Sequence, residues 1–369
     1  MAVPLMDPHS QYAAVREQIA RAIGDVIDSG RFILGPRVGE AEKALSAHAG
    51  AAHGIGVANG TDALVIALRA LGVEPGDEVT CPSFTFYATA ESIAAVGAIP
   101  VFADIEDETY NLDPSAVEAA ITSRTRAIVP VHLFGHPAAM APLMAVAKRH
   151  GLAVVEDAAQ AYGAALDGVP CGAIGDAATF SFFPTKNLPA FGDGGLIATG
   201  SAEVDRMCRV LRFHGSEDKK TFTHVGYNSR LDEIQAAILL QLLPLIDGWN
   251  DGRIAVAARY EELGLGEHVV LPAVAAGARH IYHLYVVRSQ ERERLIAGLG
   301  EAGVATGLYY TTPLHLQPVF EHLGHREGSF PVTERCAREC VALPMSPTLS
   351  EAQQLEVVGA VSALAPART

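Results

Sequence analysis

A single lysine stands in an otherwise small or apolar stretch of the sequence, TFSFFPTKNLPAFGDGG at residues 179–195. No other lysine or arginine lies between Arg149 and Arg206, so Lys186 is an isolated cation. The acidic residues of that interval are Glu156, Asp157, Asp167, Asp176, Asp193, Glu203 and Asp205. A lysine in desolvated surroundings has a lowered pKa, which suits Schiff-base chemistry. The alternative is an ordinary solvated surface charge.

Two other segments carry residues suited to chemistry. VVEDAAQAYGA places Asp157 at the end of an apolar run, where a carboxylate must be paired or solvated, and where it could hold a protonated ring nitrogen. VANGTDAL places Asn59, Gly60 and Thr61 before a helical pattern, where backbone N–H groups can bind an anion. A helix cap is the alternative for either segment and is favoured while each stands alone, and a salt bridge is a further alternative for Asp157.

Short β-rich segments alternate with helical patterns over the first 200 residues. Most of these segments are continuously apolar, as expected of strands covered on both faces. The predicted strands are 55–58, 78–82, 99–104, 127–133, 152–157, 178–183 and 195–200. The alternation predicts an α/β domain with a mostly parallel, seven-stranded sheet. A long loop rather than a helix separates the last two strands, so one of them is expected to run antiparallel.

The alternation of strand and helix patterns stops after residue 200, and helical patterns dominate from there. A strand-like HLYVVR at 283–288 and a helix-like QERERLIAGLGEAG follow in a mixed segment. We predict a large domain over residues 1–250 and a smaller C-terminal α+β domain over residues 251–369. The first 30 residues or so are expected to form an amphipathic helix that ends at Gly30.

Composition narrows the class of protein. Hydrophobic residues make up 49% of the 369 positions and charged residues 19%, which predicts a sizeable folded core. The formal net charge of −15 argues against nonspecific nucleic-acid binding, which needs a basic surface. No apolar run is long enough for a membrane helix, and the N-terminus shows no signal-peptide pattern, so a cytoplasmic protein is expected.

Neither the cysteines nor the histidines form a metal-binding pattern. The five cysteines are scattered, and Cys336 and Cys340 are expected to be buried thiols. His132 and His136 have the spacing of a helical metal pair, but Gly135 and Pro137 disfavour a helix there. No metal site is predicted.

The three chemical segments are more informative together than apart. Ligands gather at the carboxyl ends of strands in open α/β sheets, and all three segments lie at such ends. An anion cradle, a strand-end aspartate and an isolated lysine are what pyridoxal phosphate requires. The lysine binds the cofactor covalently, the aspartate keeps the pyridine nitrogen protonated, and the cradle with a serine hydroxyl holds the phosphate.

The sequence resembles the DegT/DnrJ/StrS family of sugar aminotransferases, which depend on pyridoxal phosphate and have the aspartate-aminotransferase fold, type I. The similar segments span nearly the whole chain. They are FILGP (32–36), NGTDAL (59–64), PSFTFYATAES (82–92), PVHLFGHP (130–137), VVEDAAQAYGA (154–164), SFFPTKNLPAFGDGG (181–195), GYNSRLDEIQAAIL (226–239) and PLHLQPVF (313–320).

This resemblance implies roles for individual residues. Lys186 matches the lysine that binds the cofactor, and Asp157 matches the partner of its pyridine nitrogen. The remaining cofactor contacts are implied to be Gln160 at the 3-hydroxyl, Phe86 stacked on the ring, Ser181 with the backbone of Gly60 and Thr61 at the phosphate, and Asn228 at the phosphate of the neighbouring subunit. The last role implies a homodimer with shared active sites.

Substrate contacts are implied less specifically. Lys219 and Arg230 match positions suited to an anionic donor or a nucleotide diphosphate, although exposed loop charges are the alternative. Tyr309, Tyr310 and His315 match a substrate wall, although core packing explains a tyrosine there equally well.

The activity implied by the resemblance is amino transfer to a nucleotide-linked keto-deoxysugar. Glutamate is the expected donor, and the cofactor alternates with pyridoxamine phosphate. HGSEDKKTFTHVGYNSRLDE and YYTTPLHLQPVF look most like relatives that aminate C3 of a dTDP-3-keto-6-deoxyhexose. The 4-keto and aminocyclitol branches share the same core and stay open. Lys186 argues against the dehydratases of this fold, whose lysine is replaced by histidine. A noncatalytic, regulatory protein that binds pyridoxal phosphate is the alternative from another class.

Overall fold

The computed structural model describes residues 2–364, and a seven-stranded sheet forms its centre. The strands of the described residues are β1 (His53–Val57), β2 (Glu78–Pro82), β3 (Ile99–Ala103), β4 (Thr125–Ile128), β5 (Ala153–Asp157), β6 (Ala165–Leu166), β7 (Val169–Pro170), β8 (Ala177–Ser181), β9 (Gly195–Thr199), β10 (Ala278–Arg279), β11 (Tyr285–Arg288) and β12 (Cys340–Leu343). The order in the central sheet is β1-β9-β8-β5-β4-β2-β3. All seven strands predicted for it are present.

One strand of this sheet runs against the others. Strands β2, β3, β4, β5 and β8 pair in parallel, whereas β9 pairs antiparallel with both β1 and β8. The expected antiparallel strand is therefore confirmed as β9. A reversed strand needs no helical crossover, which is why a loop alone joins β8 to β9.

Helices cover both faces of the sheet. They are α1 (Pro8–Tyr12), α2 (Arg16–Ser29), α3 (Pro36–His48), α4 (Gly60–Ala70), α5 (Ala88–Ala95), α6 (Pro114–Ala120), α7 (Met140–His150), α8 (Ala202–Arg212), α9 (Glu233–Leu242), α10 (Ile246–Glu262), α11 (Arg292–Glu301), α12 (Pro331–Glu339) and α13 (Glu351–Leu364). Alternate residues of a strand point to opposite faces. Ile197 of β9 thus packs with α4, α5 and α8, while Leu196 and Ala198 pack with α2, α3 and α9. The continuous apolar runs of the sequence reflect this double burial.

The N-terminal segment differs in part from its prediction. The expected helix ends at Gly30, which caps α2 in the left-handed conformation, but a 3₁₀ turn at residues 13–15 separates α1 from α2. None of the described helices is long and apolar enough to cross a membrane.

The C-terminal part is a smaller α+β unit around the antiparallel pair β11 and β12. Helices α10, α11 and α13 share its buried core. The proposed boundary at residue 250 falls inside α10, because this helix continues from the large part into the small one. Residues 3–5 also hydrogen-bond to the small unit: the Val3 N–H donates to the Gly303 carbonyl, and the N–H groups of Ala305 and Met345 donate to the carbonyls of Val3 and Leu5. The division at 250 therefore stays a prediction.

Candidate functional site

The carboxyl ends of four central strands open into one cavity of about 430 Å³. Segments that follow β1, β2, β5 and β8 form most of its wall, and residues near 283 and 309 of the C-terminal part complete it. The predicted residues that line this cavity are Gly60, Thr61, Phe86, Asp157, Gln160, Ser181, Lys186, Tyr309 and Tyr310. Gly60, Asp157 and Lys186, from three segments that are distant in sequence, thus share one site.

Lys186 lies on the loop between β8 and β9, five residues after the strand ends. Its backbone N–H donates to the carbonyl of Phe183 at 2.8 Å, and the loop is closed by a bond from Phe182 N–H to Gly194 at 2.8 Å. The Nζ atom has no hydrogen-bond or ion-pair partner among residues 2–364. Desolvation lowers the pKa of Lys186 to about 8, although the negative charge of Asp157 acts to raise it. An amine with this pKa exchanges protons near neutral pH.

Asp157 ends β5 and is only 4% exposed. Burial raises the pKa of this carboxyl, while hydrogen bonds from Thr89 and Ala159 and the charge of Lys186 act to lower it. The Thr89 hydroxyl donates to Oδ2 at 2.8 Å, and the Ala159 N–H donates to Oδ1 at 3.2 Å. A carboxylate held this firmly in a buried site is suited to stabilise a positive partner such as a protonated ring nitrogen.

The start of helix α4 packs directly against Ser181 in the cavity wall. Asn59 caps the helix by accepting the Asp62 N–H at 2.8 Å, so Gly60 and Thr61 keep unpaired N–H groups in the first turn. A Cβ on Gly60 would lie 2.8 Å from the Cβ of Ser181, so no larger residue fits there. The helix cap and the anion site, which the sequence offered as alternatives, are compatible here. Asn59 is the cap, and the residues that follow it offer N–H groups to an anion.

Gln160 links the cavity to two other segments. Its Oε1 accepts the Phe134 N–H at 2.8 Å, and its Nε2 donates to the Tyr310 hydroxyl at 3.1 Å. One Nε2 hydrogen stays available to the cavity, because an amide carries two. Phe86 is 55% exposed, and its ring centre lies 6.1 Å from that of Tyr310.

Four predicted residues do not line this cavity: Asn228, Lys219, Arg230 and His315. Asn228 and Lys219 are exposed, and the Lys219 Nζ lies 4.7 Å from the ring centre of Phe213. Arg230 is half-buried and has no hydrogen-bond or ion-pair partner among the described residues. Their roles stay predictions.

His315 is placed differently from its prediction. It is 1% exposed and does not line the cavity. The Nδ1 atom lies 2.6 Å from the Ser83 hydroxyl, and Nε2 lies 3.2 Å from a Glu334 carboxylate oxygen. With both ring nitrogens engaged inside the protein, this geometry gives no support to a direct substrate contact.

Several residues of the site carried no clear signal in the sequence. Thr89 lies inside α5 and orients Asp157, although only its spacing from the strand end could have suggested this. Met6, Thr185 and Asp193 also line the cavity, and so does His283, whose strand-like surroundings concealed it. His132 and His136 form no pair: His132 bonds to Glu156 at 2.9 Å, and His136 bonds to Asn111 at 3.1 Å.

A family profile matches nearly the whole chain. Residues 13–362 match the profile of the DegT/DnrJ/EryC1/StrS aminotransferase family. The chain belongs to this family. The resemblance seen in the sequence is thereby confirmed, and members of the DegT/DnrJ/EryC1/StrS family are sugar aminotransferases that depend on pyridoxal phosphate.

Three relatives cover the DegT-family chain almost end to end. It is 51% identical to a pleiotropic regulatory protein of Geobacillus stearothermophilus, with 97% of each chain covered. It is 45% identical to a UDP-N-acetyl-3-dehydro-α-D-glucosamine 3-aminotransferase of Acidithiobacillus ferrooxidans, with 95% of each covered. It is 44% identical to a dTDP-3-amino-3,4,6-trideoxy-α-D-glucose transaminase of Streptomyces venezuelae, covering 97% of this chain and 95% of that one.

A solved structure confirms the fold. The crystal structure of S. venezuelae DesV in complex with a ketimine intermediate superposes on this DegT-family chain with a TM-score of 0.97, at 43% identity and with 100% of both chains covered. The predicted type I fold is therefore correct.

The residues present fit pyridoxal phosphate. The first turn of α4 lies against Ser181 and offers N–H donors that are unpaired among residues 2–364, which suits a phosphate. Lys186 supplies an amine without a partner in that same range, and Asp157 supplies a buried carboxylate. Among DegT-family proteins, forms with pyridoxal and pyridoxamine phosphate have been solved.

The lowered pKa of Lys186 predicts how the apoprotein captures its cofactor. Only the neutral amine attacks an aldehyde, so the rate of capture should rise about tenfold per pH unit below pH 8 and level off above it. Stopped-flow absorbance with added pyridoxal phosphate measures this profile. A midpoint near 10.5, the value of an ordinary lysine, would contradict the prediction. Asp157→Asn should move the midpoint to lower pH, because the Asp157 charge raises this pKa.

Proposed function

We propose that this protein transfers the amino group of glutamate to the C3 ketone of a nucleotide-linked 3-keto-6-deoxyhexose, with dTDP as the favoured nucleotide. The observation that carries the proposal is the convergence of Lys186, Asp157 and the open start of α4 on one cavity. Its volume of about 430 Å³ is in the range of small-molecule sites.

The cofactor supplies an electron sink and carries the amino group between donor and acceptor, alternating with pyridoxamine phosphate. The protein supplies the rest. With the cofactor bound, Gly60, Thr61 and Ser181 would hold its phosphate, and Asp157 would hold the proton on the ring nitrogen. Lys186 Nζ would accept a proton from the donor carbon and release it again, and it would do so in the reverse order for the sugar. Its pKa of about 8 suits both directions.

The choice of C3 rests on two supports. Segments 214–233 and 309–320 resemble those of 3-aminating relatives, and the relatives from A. ferrooxidans and S. venezuelae are both named for amino groups at C3. These two relatives differ in nucleotide, UDP in one and dTDP in the other. A 4-keto sugar or an aminocyclitol precursor is the second candidate within the family.

The alternative of a noncatalytic regulatory protein is supported by one relative, the Geobacillus protein, which is named a pleiotropic regulatory protein. Here residues 13–362 match a family of aminotransferases, and this favours the enzyme.

The proposed unit is a homodimer in the cytoplasm. Asn228 is exposed and absent from the wall of its own cavity, as expected of a residue that contacts the phosphate in the neighbouring subunit. Val225, three residues earlier, is 83% exposed and Phe222 is 60% exposed, which fits a surface covered by a second copy.

A side-by-side assay tests the substrate. The purified protein is supplied with pyridoxal phosphate, with glutamate or glutamine, and with dTDP- or UDP-linked 3-keto and 4-keto sugars, and products are identified by NMR. We expect amination at C3 of the dTDP-linked sugar, with kcat/KM at least about tenfold above the 4-keto sugars, and 2-oxoglutarate as co-product. Preference for a 4-keto sugar would overturn the position. Cofactor binding without amination of any sugar would favour the regulatory alternative.

A further inference from the structure

Three buried polar side chains meet where the C-terminal part of the chain lies against the end of β2. They are Ser83, His315 and Glu334, which are 0%, 1% and 5% exposed. The Ser83 oxygen lies 2.6 Å from His315 Nδ1, and His315 Nε2 lies 3.2 Å from Glu334 Oε1. None of the roles described above uses this cluster.

A serine, a histidine and a carboxylate are also the components of a hydrolytic triad, but this cluster is not built as one. A serine nucleophile must reach a substrate, whereas Ser83 is fully buried and does not line the cavity. In a triad the serine pairs with Nε2 of the histidine, whereas Ser83 pairs with Nδ1 of His315. The bonds of the cluster therefore serve to hold segments of the chain together.

The hydrogens of the cluster can be assigned from the donors around it. Burial acts to raise the pKa of the Glu334 carboxyl, but N–H donors from Gly328, Phe330 and His315 lower it overall, so Glu334 is ionised and only accepts. Nε2 of His315 therefore carries the ring hydrogen. The ring is neutral, because burial lowers the pKa of His315 although Glu334 acts to raise it. Nδ1 is then a bare acceptor, and the Ser83 hydroxyl donates to it.

Ser83 holds the chain at residues 314–315 by three bonds. Besides the bond from its hydroxyl to Nδ1, its hydroxyl oxygen accepts the His315 N–H at 3.3 Å, and its carbonyl accepts the Leu314 N–H at 2.9 Å. The Ser83 N–H in turn donates to the Ala103 carbonyl at the end of β3, at 3.1 Å. We call the three bonds from Ser83 to residues 314–315 the clamp, since they attach this segment to the central sheet.

The clamp lies at the base of two parts of the cavity wall. Thr85 and Phe86 come directly after one side of it, Tyr309 and Tyr310 come shortly before the other, and all four residues line the cavity. No backbone N–H group of residues 308–312 has a hydrogen-bond partner among residues 2–364. The clamp is therefore the first main-chain attachment that follows the two tyrosines.

Ring contacts connect the clamp with the wall. The ring of Phe84, the residue after Ser83, lies edge-on to the ring of Tyr310, with centres 6.2 Å apart. The ring centres of Phe86 and Tyr310 lie 6.1 Å apart, and the Tyr310 hydroxyl accepts from Gln160 Nε2 at 3.1 Å. A displacement of the clamped segment would move Tyr310 relative to both Phe86 and Gln160.

We propose that His315 is a positioning residue. By accepting the Ser83 hydroxyl it clamps the segment of Tyr309 and Tyr310 to the end of β2, and it thereby fixes the width of the cavity between Tyr310 and Phe86. The clamp itself is independent of the proposed function, whereas its effect on sugar binding rests on that function. His315 acts through the tyrosines and needs no contact with a substrate.

Three variants separate the clamp from a role of His315 confined to the C-terminal part. His315→Asn keeps an acceptor at the Nδ1 position but loses the bond to Glu334. His315→Gln keeps a donor near the Nε2 position but loses the acceptor for Ser83, and Ser83→Ala removes the hydroxyl itself. The clamp predicts that the last two variants behave alike and that the first is mild. A role confined to the bond with Glu334 predicts the reverse order.

Amide hydrogen exchange of the full chain, resolved to single N–H groups, measures the clamp. The reporter is the Leu314 N–H, whose bond to the Ser83 carbonyl must break before it exchanges. We expect His315→Gln and Ser83→Ala to raise its exchange rate about tenfold, because loss of a buried hydrogen bond that leaves its partner unpaired changes an opening equilibrium by about that factor. The N–H groups of β11 and β12 should exchange as in the wild type, which separates this effect from general loosening.

The outcomes that contradict the clamp are equally specific. Unchanged exchange of Leu314 in Ser83→Ala, or faster exchange in His315→Asn than in His315→Gln, would overturn the proposal. The double variant Ser83→Ala/His315→Gln should exchange no faster than either single variant, because both changes remove the same bond, so additive effects would also overturn it. If His315→Gln does not fold, Ser83→Ala alone decides.

The sugar assay tests the effect on the cavity. KM for the sugar should rise in His315→Gln and Ser83→Ala and stay near the wild-type value in His315→Asn. Faster exchange of Leu314 with an unchanged KM would show that the clamp does not set the cavity wall. A protein that aminates no sugar would contradict the proposed function but not the clamp, which the exchange of Leu314 tests without any substrate.

Discussion

Lys186→Ala should abolish turnover, with a loss of at least about 10³-fold, because it removes both the covalent attachment and the proton carrier. The same change should remove the visible absorption of the cofactor bound to the protein. Borohydride treatment followed by mass spectrometry should find the cofactor on the Lys186 peptide of the wild type and on no other peptide.

Two companion variants make this result specific. Lys186→Arg keeps a positive charge but cannot lose a proton near neutral pH, so it should be as inactive as alanine if the amine itself reacts. Lys148→Ala, an exposed lysine in the last turn of α7, should behave as the wild type. Activity retained in Lys186→Arg would show that the charge, not the amine, is what matters.

Asp157→Asn should lower kcat by about 10²- to 10⁴-fold. The amide keeps the size of the carboxyl group but cannot hold the ring nitrogen protonated, and breaking a buried charge pair costs roughly 3–5 kcal/mol. The variant should still bind the cofactor through Lys186 and the phosphate cradle. Steady-state kinetics measures the loss of kcat, and the pH dependence of the bound-cofactor spectrum measures cofactor binding and the protonation of its ring nitrogen.

Glu156→Gln is the matched comparison for this prediction. Glu156 precedes Asp157 in β5 but points away from the cavity, where it accepts the N–H groups of Gly172, Ile174 and Gly175 at 2.7–2.9 Å. Its loss should lower the melting temperature and leave the cofactor spectrum unchanged. If Asp157→Asn behaved in the same way as Glu156→Gln, the electronic role of Asp157 would be wrong.

The sheet and the centre of the site could be predicted from the sequence because both have recognisable local patterns. A strand that is covered on both faces appears as an apolar run, and a single lysine such as Lys186 is conspicuous beside such a run. The helix start at Asn59 and the two residues after it could be predicted because a strand followed by the start of a helix has a distinctive composition. The family resemblance then assigned residues that the local pattern left open.

The remainder of the site depends on contacts that no local pattern encodes. His283 sits in a strand-like segment nearly 100 residues from Lys186, and only the packing of the C-terminal part against the sheet brings it to the cavity. The surroundings of His315 depend on contacts of the same kind. Its ring nitrogens lie against Ser83 and Glu334, which no local pattern around residue 315 indicates. The sequence pattern does not mark a sharp domain boundary near residue 250, because helix α10 runs from the large part into the small one.

The reversal of β9 bears on how fast the reactive amine can move. Both ends of the Lys186 loop are fixed in one sheet, and bonds from Phe182 to Gly194 and from Ala190 to Phe182 close it. The backbone at Lys186 therefore has little freedom, and the displacement of the amine falls to the torsions of its four-carbon side chain. Such rotations take picoseconds to nanoseconds, whereas typical turnover takes milliseconds to a second. Rotation of the free lysine side chain should therefore not limit the rate of this enzyme.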